Sequence, residues 1–381
     1  MNVLHVYKNY LPETRGGVEQ VIFQLCEGTR AAGHVADVLV TGPVPTLREV
    51  PVGQHHVFQA RRTTERFSTP VSVEMMKVLP ALARGYDLLH YHFPWPFADL
   101  LQLRLGRGRP YVVTYHSDIV KQRRLLWLYQ PLLMDRFLSG AARVVATSRT
   151  YAESSPVLRA LDRPPAVVRL GIPPPPRPAP GQVALSPAVR ALLAEPGPFF
   201  LFVGMLRYYK GLEHLVRAAP LVRSRIVVAG DGPERDRIEA LARGLGAGNL
   251  HLLGPVAEGD KWMLLDRALA LVLPSHLRSE AFGVSLLEGA ALGCPLVSCE
   301  IGTGTTEVNR HGETGLVVPP GDPAALGAAM RALEDDPKAA AAMGRRAALR
   351  FAEGFTADRM VRSYLDLYRD VLDGSGAVPS G

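Results

Sequence analysis

Two glutamates flank an apolar run in the segment SEAFGVSLLEG, residues 279–289. Paired carboxylates can divide acid and base roles across a glycosidic bond when their carboxyl groups face one another. Here the segment turns through Gly283 into an apolar stretch typical of a helix, so we expect Glu280 on the loop and Glu288 within the helix. Their separation therefore does not place both acids on one helical face. The simpler alternative is one charge beside the helix cap and a second charge in solvent.

Two cations follow a predicted strand in VGMLRYYKG, residues 203–211: Arg207 and Lys210. In open α/β sheets, ligands bind at the edge where the strands have their carboxyl ends. Two cations three residues apart at that edge can bind one anion together, and a diphosphate is the obvious candidate. Two solvated charges ahead of a helix are the alternative.

Backbone N–H groups at two predicted helix starts are further candidates for anion binding. Gly16 and Gly17 stand where a loop opens a helix, and adjacent glycines let the backbone approach a phosphate closely. A tight turn is the simpler interpretation of this pair. The N–H groups of Phe282, Gly283 and Val284 begin the second helix. The chain has no G-x-G-x-x-G and no P-loop lysine motif, so dinucleotide-binding and ATPase functions lack their key residues.

Histidines follow two predicted strands. His116 comes directly after YVVTY, while His90 and His92 alternate along LLHYHF. Histidine exchanges protons and hydrogen bonds near neutral pH, although a packed or capping histidine is the common alternative. A metal needs more convergent ligands than these loops offer, so we predict no metal site.

Two domains of alternating strands and helices must position these residues. Short β-rich runs alternate with helical patterns, which is the rhythm of a parallel sheet. The rhythm breaks at residues 167–182, where six prolines and two glycines predict a linker without regular structure, and then restarts. Apolar residues at helical spacing between 356 and 372 predict a final amphipathic helix. The three cysteines form no C-x-x-C pair and favour neither a disulfide framework nor a zinc site.

The positive charge is concentrated in the first half of the chain. Residues 1–180 hold 22 Lys and Arg against 13 Asp and Glu, whereas residues 181–381 hold 21 against 23. This asymmetry suits an anionic partner, either a membrane surface, a nucleic acid or a phosphorylated acceptor, and a GC-rich genome that favours Arg is the alternative explanation. No RNA-binding signature and no recognition-helix pattern is present, so nucleic acid is not expected.

Several features bear on location. The N-terminus lacks an export signal, and no apolar window is long enough to span a membrane, so we expect a cytoplasmic protein that is soluble or peripheral. The segment 121–138 combines Arg123 and Arg124 with Trp127 and repeated leucines, as an interfacial helix does. A helix buried on its leucine face is the alternative.

Taken together, five motifs resemble the retaining glycosyltransferases of family 4. They are GGVEQVI, TYHSD, VGMLRYYKG, GDGPERD and the long segment that begins PSHLRSEAFGVSLLEG. The E-x7-E pattern of Glu280 and Glu288, combined with Arg207 and Lys210, is the most specific part, and the resemblance runs from residue 1 to residue 372. It implies the GT-B fold, an α/β architecture of two facing Rossmann-like domains with parallel sheets.

The resemblance also implies two domains and a C-terminal helix, each with its own role. Residues 1–172 would form an N-terminal acceptor-binding domain, and residues 173–355 a C-terminal domain that binds the nucleotide sugar. Residues 356–381 would form a helix that returns to the N-terminal domain, followed by a frayed tail.

By the same resemblance, the site residues bind different parts of one donor. Arg207 and Lys210 would neutralise the leaving diphosphate without a metal. Glu288 would hold the ribose hydroxyls, and Glu280 the sugar. His116 would contact the sugar or the phosphate.

Gly16 and Gly17 would approach the distal phosphate. In such retaining enzymes the acceptor hydroxyl attacks the face that the phosphate leaves, with a phosphate oxygen accepting its proton. A protein base is then not required, and neither a cofactor nor a metal is expected.

Two segments look most similar to bacterial mannosyl- and D-rhamnosyltransferases that build lipopolysaccharide O-chains from GDP-sugars. They are the opening VLHVYKNYLPETRGGVEQVI and the segment that runs from SEAFGVSLLEG to PLVSCEIGTGTTEVN. This similarity implies a polyprenyl-diphosphate-linked saccharide as acceptor, at the inner face of the cytoplasmic membrane. The competing functions are a non-hydrolysing sugar-nucleotide epimerase with two similar domains and a catalytically silent protein that binds nucleotide sugars.

Overall fold

The computed structural model describes residues 1–14, 16–66, 69–106, 108–119, 129–176 and 185–374. The chain divides into two compact units. The N-terminal unit comprises Met1–Pro173 and Ala357–Gly381, and the C-terminal unit comprises Pro174–Thr356. The sequence had placed the two boundaries at 172/173 and 355/356, one residue away in each case.

The N-terminal unit is built on an eight-stranded sheet with the order β10-β9-β8-β7-β1-β2-β4-β3. The strands are β1 (Asn2–Val6), β2 (Val35–Gly42), β3 (Arg48–Val52), β4 (His55–Arg61), β7 (Leu88–Phe93), β8 (Tyr111–Tyr115), β9 (Arg143–Ala146) and β10 (Ala166–Val167). Two short strands, β5 (Thr64–Arg66) and β6 (Thr69–Val71), pair separately. The central strands are fully buried, so helices cover both faces.

The edge strand β3 departs from the predicted parallel sheet. It pairs antiparallel with β4, while the other neighbours in this sheet are parallel. Most residues of β3 are exposed, so this strand has no apolar run that would predict it. Gly53, at a φ of +57°, makes the tight turn between the two strands.

The helices of the N-terminal unit follow the strands that they cover. They are α1 (Gly17–Ala31), α2 (Val73–Leu82), α3 (Pro96–Leu105), α4 (Asp135–Ser139), α5 (Arg149–Ser154), α6 (Pro156–Arg159) and α15 (Ala357–Leu372). A π-helical turn at Gln130–Met134 leads into α4. Arg123, Arg124 and Trp127, which the sequence predicts to lie at a membrane interface, are outside the described residues, so this stays a prediction.

The last helix, α15, belongs to the N-terminal unit although it follows the C-terminal unit in sequence. The five apolar residues that the sequence places on one face are all buried, and they are Met360, Val361, Tyr364, Leu365 and Tyr368. The hydroxyl groups of Tyr364 and Tyr368 bond to Thr114 and His90, 2.7 Å and 2.6 Å away. The amphipathic pattern therefore predicts both the helix and its buried face.

The C-terminal unit has a six-stranded sheet with the order β13-β12-β11-β14-β15-β16, parallel throughout. The strands are β11 (Phe199–Val203), β12 (Arg225–Ala229), β13 (Leu250–Gly254), β14 (Ala270–Leu273), β15 (Leu296–Cys299) and β16 (Gly315–Val318). The helices are α7 (Pro187–Ala194), α8 (Leu212–Ala218), α9 (Arg235–Gly244), α10 (Glu258–Arg267), α11 (Val284–Leu292), α12 (Thr305–Val308), α13 (Pro323–Asp335) and α14 (Pro337–Gly354). Two Rossmann-like units confirm the predicted α/β class.

The proline-rich linker has almost no regular structure where it is described. Val167 pairs with Ala146 in the short edge strand β10, and Ile172 forms an isolated β-bridge. Residues 177–184 lie outside the described part of the chain. Across the described ranges, no helix is both long enough and apolar enough to cross a membrane.

Candidate functional site

The loops that follow β11 and β14, at the carboxyl edge of the second sheet, pack closely against each other. The loop after β11 ends in a 3₁₀ turn at Tyr208–Lys210, and Gly211 follows with a φ of +69°. A Cβ on Gly211 would lie 2.0 Å from the carbonyl oxygen of Pro274, which follows β14. The backbone N–H of His276 also donates to the carbonyl of Tyr209, over 3.1 Å. Glycine thus allows the close approach that positions Lys210 beside the second loop.

Lys210 and Glu280 form an ion pair between these loops. The Lys210 Nζ contacts Oε2 of Glu280, and the hydroxyl of Ser275 donates to the same oxygen over 3.1 Å. The two charged side chains are only 12% and 10% exposed. Burial has the largest single effect and would lower the pKa of Lys210, but the charges of Glu280, Tyr209 and Glu288 and the hydrogen bond to Glu280 together outweigh it and raise that pKa above its usual value. The lysine is therefore charged at neutral pH.

Arg207 stands apart from this pair. Its side chain is exposed, and its Nε lies 2.9 Å from the sulfur of Met205. In the described ranges, no carboxylate pairs with Arg207. The sequence predicted that Arg207 and Lys210 bind one anion together, whereas here Lys210 is held by Glu280 and Arg207 is available to a ligand.

The start of α11 presents backbone N–H groups, as predicted. Gly283 precedes the helix with a φ of +79°, and a Cβ there would lie 2.9 Å from Leu273. The ring of Phe282 is buried and lies 6.0 Å from the ring of Phe355, so Phe282 can offer a ligand its backbone only. The hydroxyl of Ser285 is buried without a partner among the described residues. The N–H groups of Val284 and Ser285 have no intrahelical acceptor, whereas that of Leu286 donates to the carbonyl of Gly283 over 2.8 Å.

Glu288 has its own lysine partner. The Lys261 Nζ lies 2.6 Å from Oε1 of Glu288 and 3.9 Å from the centroid of the Trp262 ring. Burial raises the pKa of Glu288, and Lys261 opposes that effect. The charges of Glu288 and Lys210 also interact, so Lys210 lies in the field of both glutamates. Lys261 is a candidate site residue that the sequence did not reveal.

The predicted phosphate site at Gly16 and Gly17 contains a carboxylate. Gly16 precedes α1 in an extended conformation, which any residue can adopt. A Cβ on Gly16 would lie 2.6 Å from a carboxylate oxygen of Glu19. Burial raises the pKa of Glu19, and hydrogen bonds from the backbone at Gly16 and Glu19 and from Thr14 partly offset this effect. Glycine at 16 therefore makes room for Glu19, and the role of the pair in phosphate binding stays a prediction.

His116 is buried at the end of β8 and belongs to a histidine cluster. Its Nε2 lies 3.0 Å from Nδ1 of His92, whose Nε2 lies 3.0 Å from Nδ1 of His5. His90 bonds to Tyr368 and Thr114 instead. Burial lowers the pKa of His5 and of His116 to about 3. The sequence identified three of these residues and missed His5, which the parallel register of β1 and β7 places opposite His90.

Among the residues that the structure describes, two groups of side chains are close enough to share a metal ion. They are His5, His90 and His92, and Glu213, His214 and His276, with ligand atoms within 4.8 Å in each group. In the first group, both ring nitrogens of His90 are already engaged by hydroxyl groups. Hydrogen bonding therefore accounts for His90 without an ion, and metal independence stays a prediction.

Comparison with known proteins identifies the family. Residues 15–174 match the family described as Glycosyltransferase Family 4, and residues 189–350 match Glycosyl transferases group 1. Among solved structures, sucrose-phosphate synthase from Thermosynechococcus elongatus has a TM-score of 0.78 at 22% identity, over 98% of this chain and 99% of that one. That likeness shows the fold.

Two curated relatives align over nearly their whole length. The chain is 48% identical to the D-rhamnosyltransferase WbpZ of Pseudomonas aeruginosa, over 94% of this chain and 93% of the relative. It is 41% identical to the O-antigen chain mannosyltransferase C of Escherichia coli, over 98% of this chain and 99% of the relative. The chain therefore belongs to glycosyltransferase family 4 and is a glycosyltransferase with the GT-B fold.

Proposed function

We propose that this protein is a retaining hexosyltransferase of lipopolysaccharide O-chain synthesis. It transfers mannose or D-rhamnose from a GDP-sugar to a saccharide carried on a polyprenyl diphosphate. The sugars follow from the two relatives, one a D-rhamnosyltransferase and the other an O-antigen mannosyltransferase.

The observation that carries the proposal is the distribution of charge at the carboxyl edge of the second sheet. Arg207 is exposed and has no carboxylate partner in the described part of the chain, while Lys210 is charged beside it in sequence. A diphosphate leaving group gains negative charge as the glycosidic bond breaks, and two cations at the two ends of one 3₁₀ turn would stabilise that charge. The two side chains thus take the role that a metal ion has in other transferases.

The two glutamates would bind hydroxyl groups of the donor. Glu280 keeps one oxygen on Lys210 and Ser275, which leaves its second oxygen available to a sugar hydroxyl. Glu288 is fixed by Lys261 in the same way and would accept from the ribose. In this arrangement neither glutamate transfers a proton. The acceptor hydroxyl attacks from the face that the diphosphate leaves, and a phosphate oxygen accepts its proton.

The acceptor and the location belong to the same proposal. The basic excess of residues 1–180 suits a diphosphate-linked lipid at an anionic membrane surface. We therefore place the protein in the cytoplasm, peripherally bound at the inner face of the cytoplasmic membrane.

A donor panel tests the activity. The purified protein is incubated with GDP-, UDP-, ADP- and dTDP-sugars and a polyprenyl-diphosphate-GlcNAc mimic, with and without EDTA, and product mass is measured. We expect transfer from a GDP-sugar both with and without EDTA. NMR of the product should show that the anomeric configuration of the donor is retained. An inverted anomer or dependence on a divalent cation would contradict the mechanism, and no transfer from any donor would contradict the function.

A pair of arginine variants tests whether the loss of activity is specific to the site. Arg207→Ala should abolish most transfer, whereas Arg331→Ala, which changes an exposed arginine on α13, should leave it unchanged.

Incubating the protein with the nucleotide sugar alone, without an acceptor, distinguishes the two alternative functions. A sugar-nucleotide epimerase would convert the donor alone, and a silent binding protein would bind it without turnover.

A further inference from the structure

Three buried histidines of the N-terminal unit form one hydrogen-bonded chain. It runs from Nδ1 of His5 to Nε2 of His92, and from Nδ1 of His92 to Nε2 of His116, with 3.0 Å at both steps. The rings are nearly parallel, with centroids 5.3 Å apart at both steps. His116 lies at the carboxyl edge of the sheet, and His92 and His5 are held on β7 and β1. The backbone register of these strands therefore fixes the chain.

Neutral rings restrict how protons are arranged along this chain. Burial lowers the pKa of all three histidines far enough that each is neutral at pH 7. A neutral imidazole has one N–H donor and one bare acceptor nitrogen. Each hydrogen bond needs one of each, so only two arrangements exist. The three protons are all on Nδ1 or all on Nε2.

The far end of the chain distinguishes these arrangements. The Nε2 of His5 is buried and has no hydrogen-bond partner within the described ranges. Protons on Nε2 would leave a buried N–H without an acceptor, whereas protons on Nδ1 leave only a bare lone pair. Buried N–H groups without a partner are the rarer of the two in proteins. The Nδ1 arrangement is therefore favoured, and Nδ1–H is the group of His116 that remains for a ligand.

We propose that His92, supported by His5, is a positioning residue that holds His116 as a neutral Nδ1–H donor toward the substrate. His116 then donates a hydrogen bond to a hydroxyl or phosphate oxygen and cannot accept a proton at Nδ1. The identity of that substrate rests on the proposed function, but the state of the rings does not. His90 is outside the chain because its two nitrogens bond to Tyr368 and Thr114.

Nitrogen NMR of the full-length protein reads the ring states directly. The protein is labelled with ¹⁵N in the rings of its 11 histidines, and signals are assigned by single substitution. In the wild type we expect Nδ1 to be protonated in His5, His92 and His116. His92→Phe should move the proton of His116 toward Nε2, the state that isolated histidine prefers. His92→Asn, whose amide can donate from the position of Nδ1, should keep it on Nδ1.

A transfer assay on the same variants connects ring state to activity. We expect kcat/KM about tenfold lower for His92→Phe, the effect of one hydrogen bond, and recovery in His92→Asn. Thr114→Val removes the two hydrogen bonds to His90 and Tyr364 but none within the chain of His5, His92 and His116, and it should leave the ring states of His92 and His116 unchanged.

Three results would overturn the proposal: a proton on Nε2 of His116 in the wild type, the same His116 state in His92→Phe, or ring signals that change when EDTA removes a metal. If His92→Phe does not fold, the ring states of the wild type and of His92→Asn still test the proposal. Absence of transfer by the wild type would reject the proposed function, while the NMR result would still decide this inference.

Discussion

Removing either partner of the Lys210–Glu280 pair should destabilise the C-terminal unit, and removing both should cost little more than removing one. Glu280→Gln keeps a hydrogen-bonding oxygen near Ser275 but leaves Lys210 charged and buried. Lys210→Met keeps the length of the side chain but leaves the Glu280 carboxylate buried. Each variant therefore isolates one unpaired charge in a site that is 12% or 10% exposed.

The expected magnitudes follow from burial. Breaking a buried ion pair by removing one partner costs about 3 to 5 kcal/mol, because the remaining charge loses its compensation. Since both side chains keep slight exposure, we expect about 3 kcal/mol for each single variant. The double variant should cost about 3 kcal/mol rather than the roughly 6 that additivity requires, so the coupling energy is about 3 kcal/mol.

Tryptophan fluorescence can report this unit alone. The chain has three tryptophans, and Trp262 on α10 is the one in the C-terminal unit. In a background carrying Trp95→Phe and Trp127→Phe, urea unfolding at pH 8 is followed by Trp262. Because the pKa of Lys210 is raised, the pair contributes fully below the unfolded lysine pKa of 10.5, and its contribution is lost as pH rises through the folded pKa. Additive single effects, with a coupling below about 0.5 kcal/mol, would refute the reasoning.

Three further predictions test other parts of the molecule. Acidification from pH 6.5 to pH 5 should lower the free energy of unfolding by about 2 kcal/mol for each of His5 and His116, because the folded pKa is about 3 and the unfolded chain takes up protons below 6.5. Urea unfolding at stepped pH measures this loss, and a flat profile over that range would contradict it. Arg207→Ala should leave the free energy of unfolding within about 0.5 kcal/mol of wild type and weaken binding of GDP at least about tenfold, as measured by calorimetry, so equal affinity would remove its proposed role. Tyr368→Phe should cost about 1 to 2 kcal/mol by leaving Nδ1 of His90 without its partner, and a melting temperature equal to wild type would show that this bond adds no stability.

The fold was largely predictable because the strands at the centre of each sheet are mostly apolar runs that bury completely. FFLFV and YVVTY became β11 and β8, with every residue buried. The exposed strand β3 has no such signal, since an edge strand that faces solvent need not be apolar. The pattern of α15 fixed its buried face, but the residues that it contacts follow from the tertiary fold.

The sequence indicated most of the site residues but not the ion pairs and hydrogen bonds that they form with one another. Lys210 meets Glu280 across 70 positions, and Lys261 meets Glu288 across 27. The first contact depends on how two loops pack and the second on how α10 packs against α11, and no local pattern encodes either. His5 was missed for a related reason, because alternation gives the face of a strand while the pairing of His5 with His90 is a matter of register.

The two glutamates that first suggested acid and base have different electrostatic tasks. Glu280 is paired with Lys210 and Glu288 with Lys261, and Lys210 also interacts with the charge of Glu288. The two glutamates and two lysines therefore have no net charge. Arg207 alone among these five side chains has no opposite charge beside it. A diphosphate that approaches this edge is therefore attracted first by Arg207, and it can reach Lys210 only by competing with Glu280. Tight pairing of Lys210 thus favours a ligand that also satisfies Glu280, and a sugar attached to the diphosphate does so with its hydroxyls. On this reasoning the intact nucleotide sugar should bind more tightly than the nucleoside diphosphate, and the difference should vanish in Glu280→Gln.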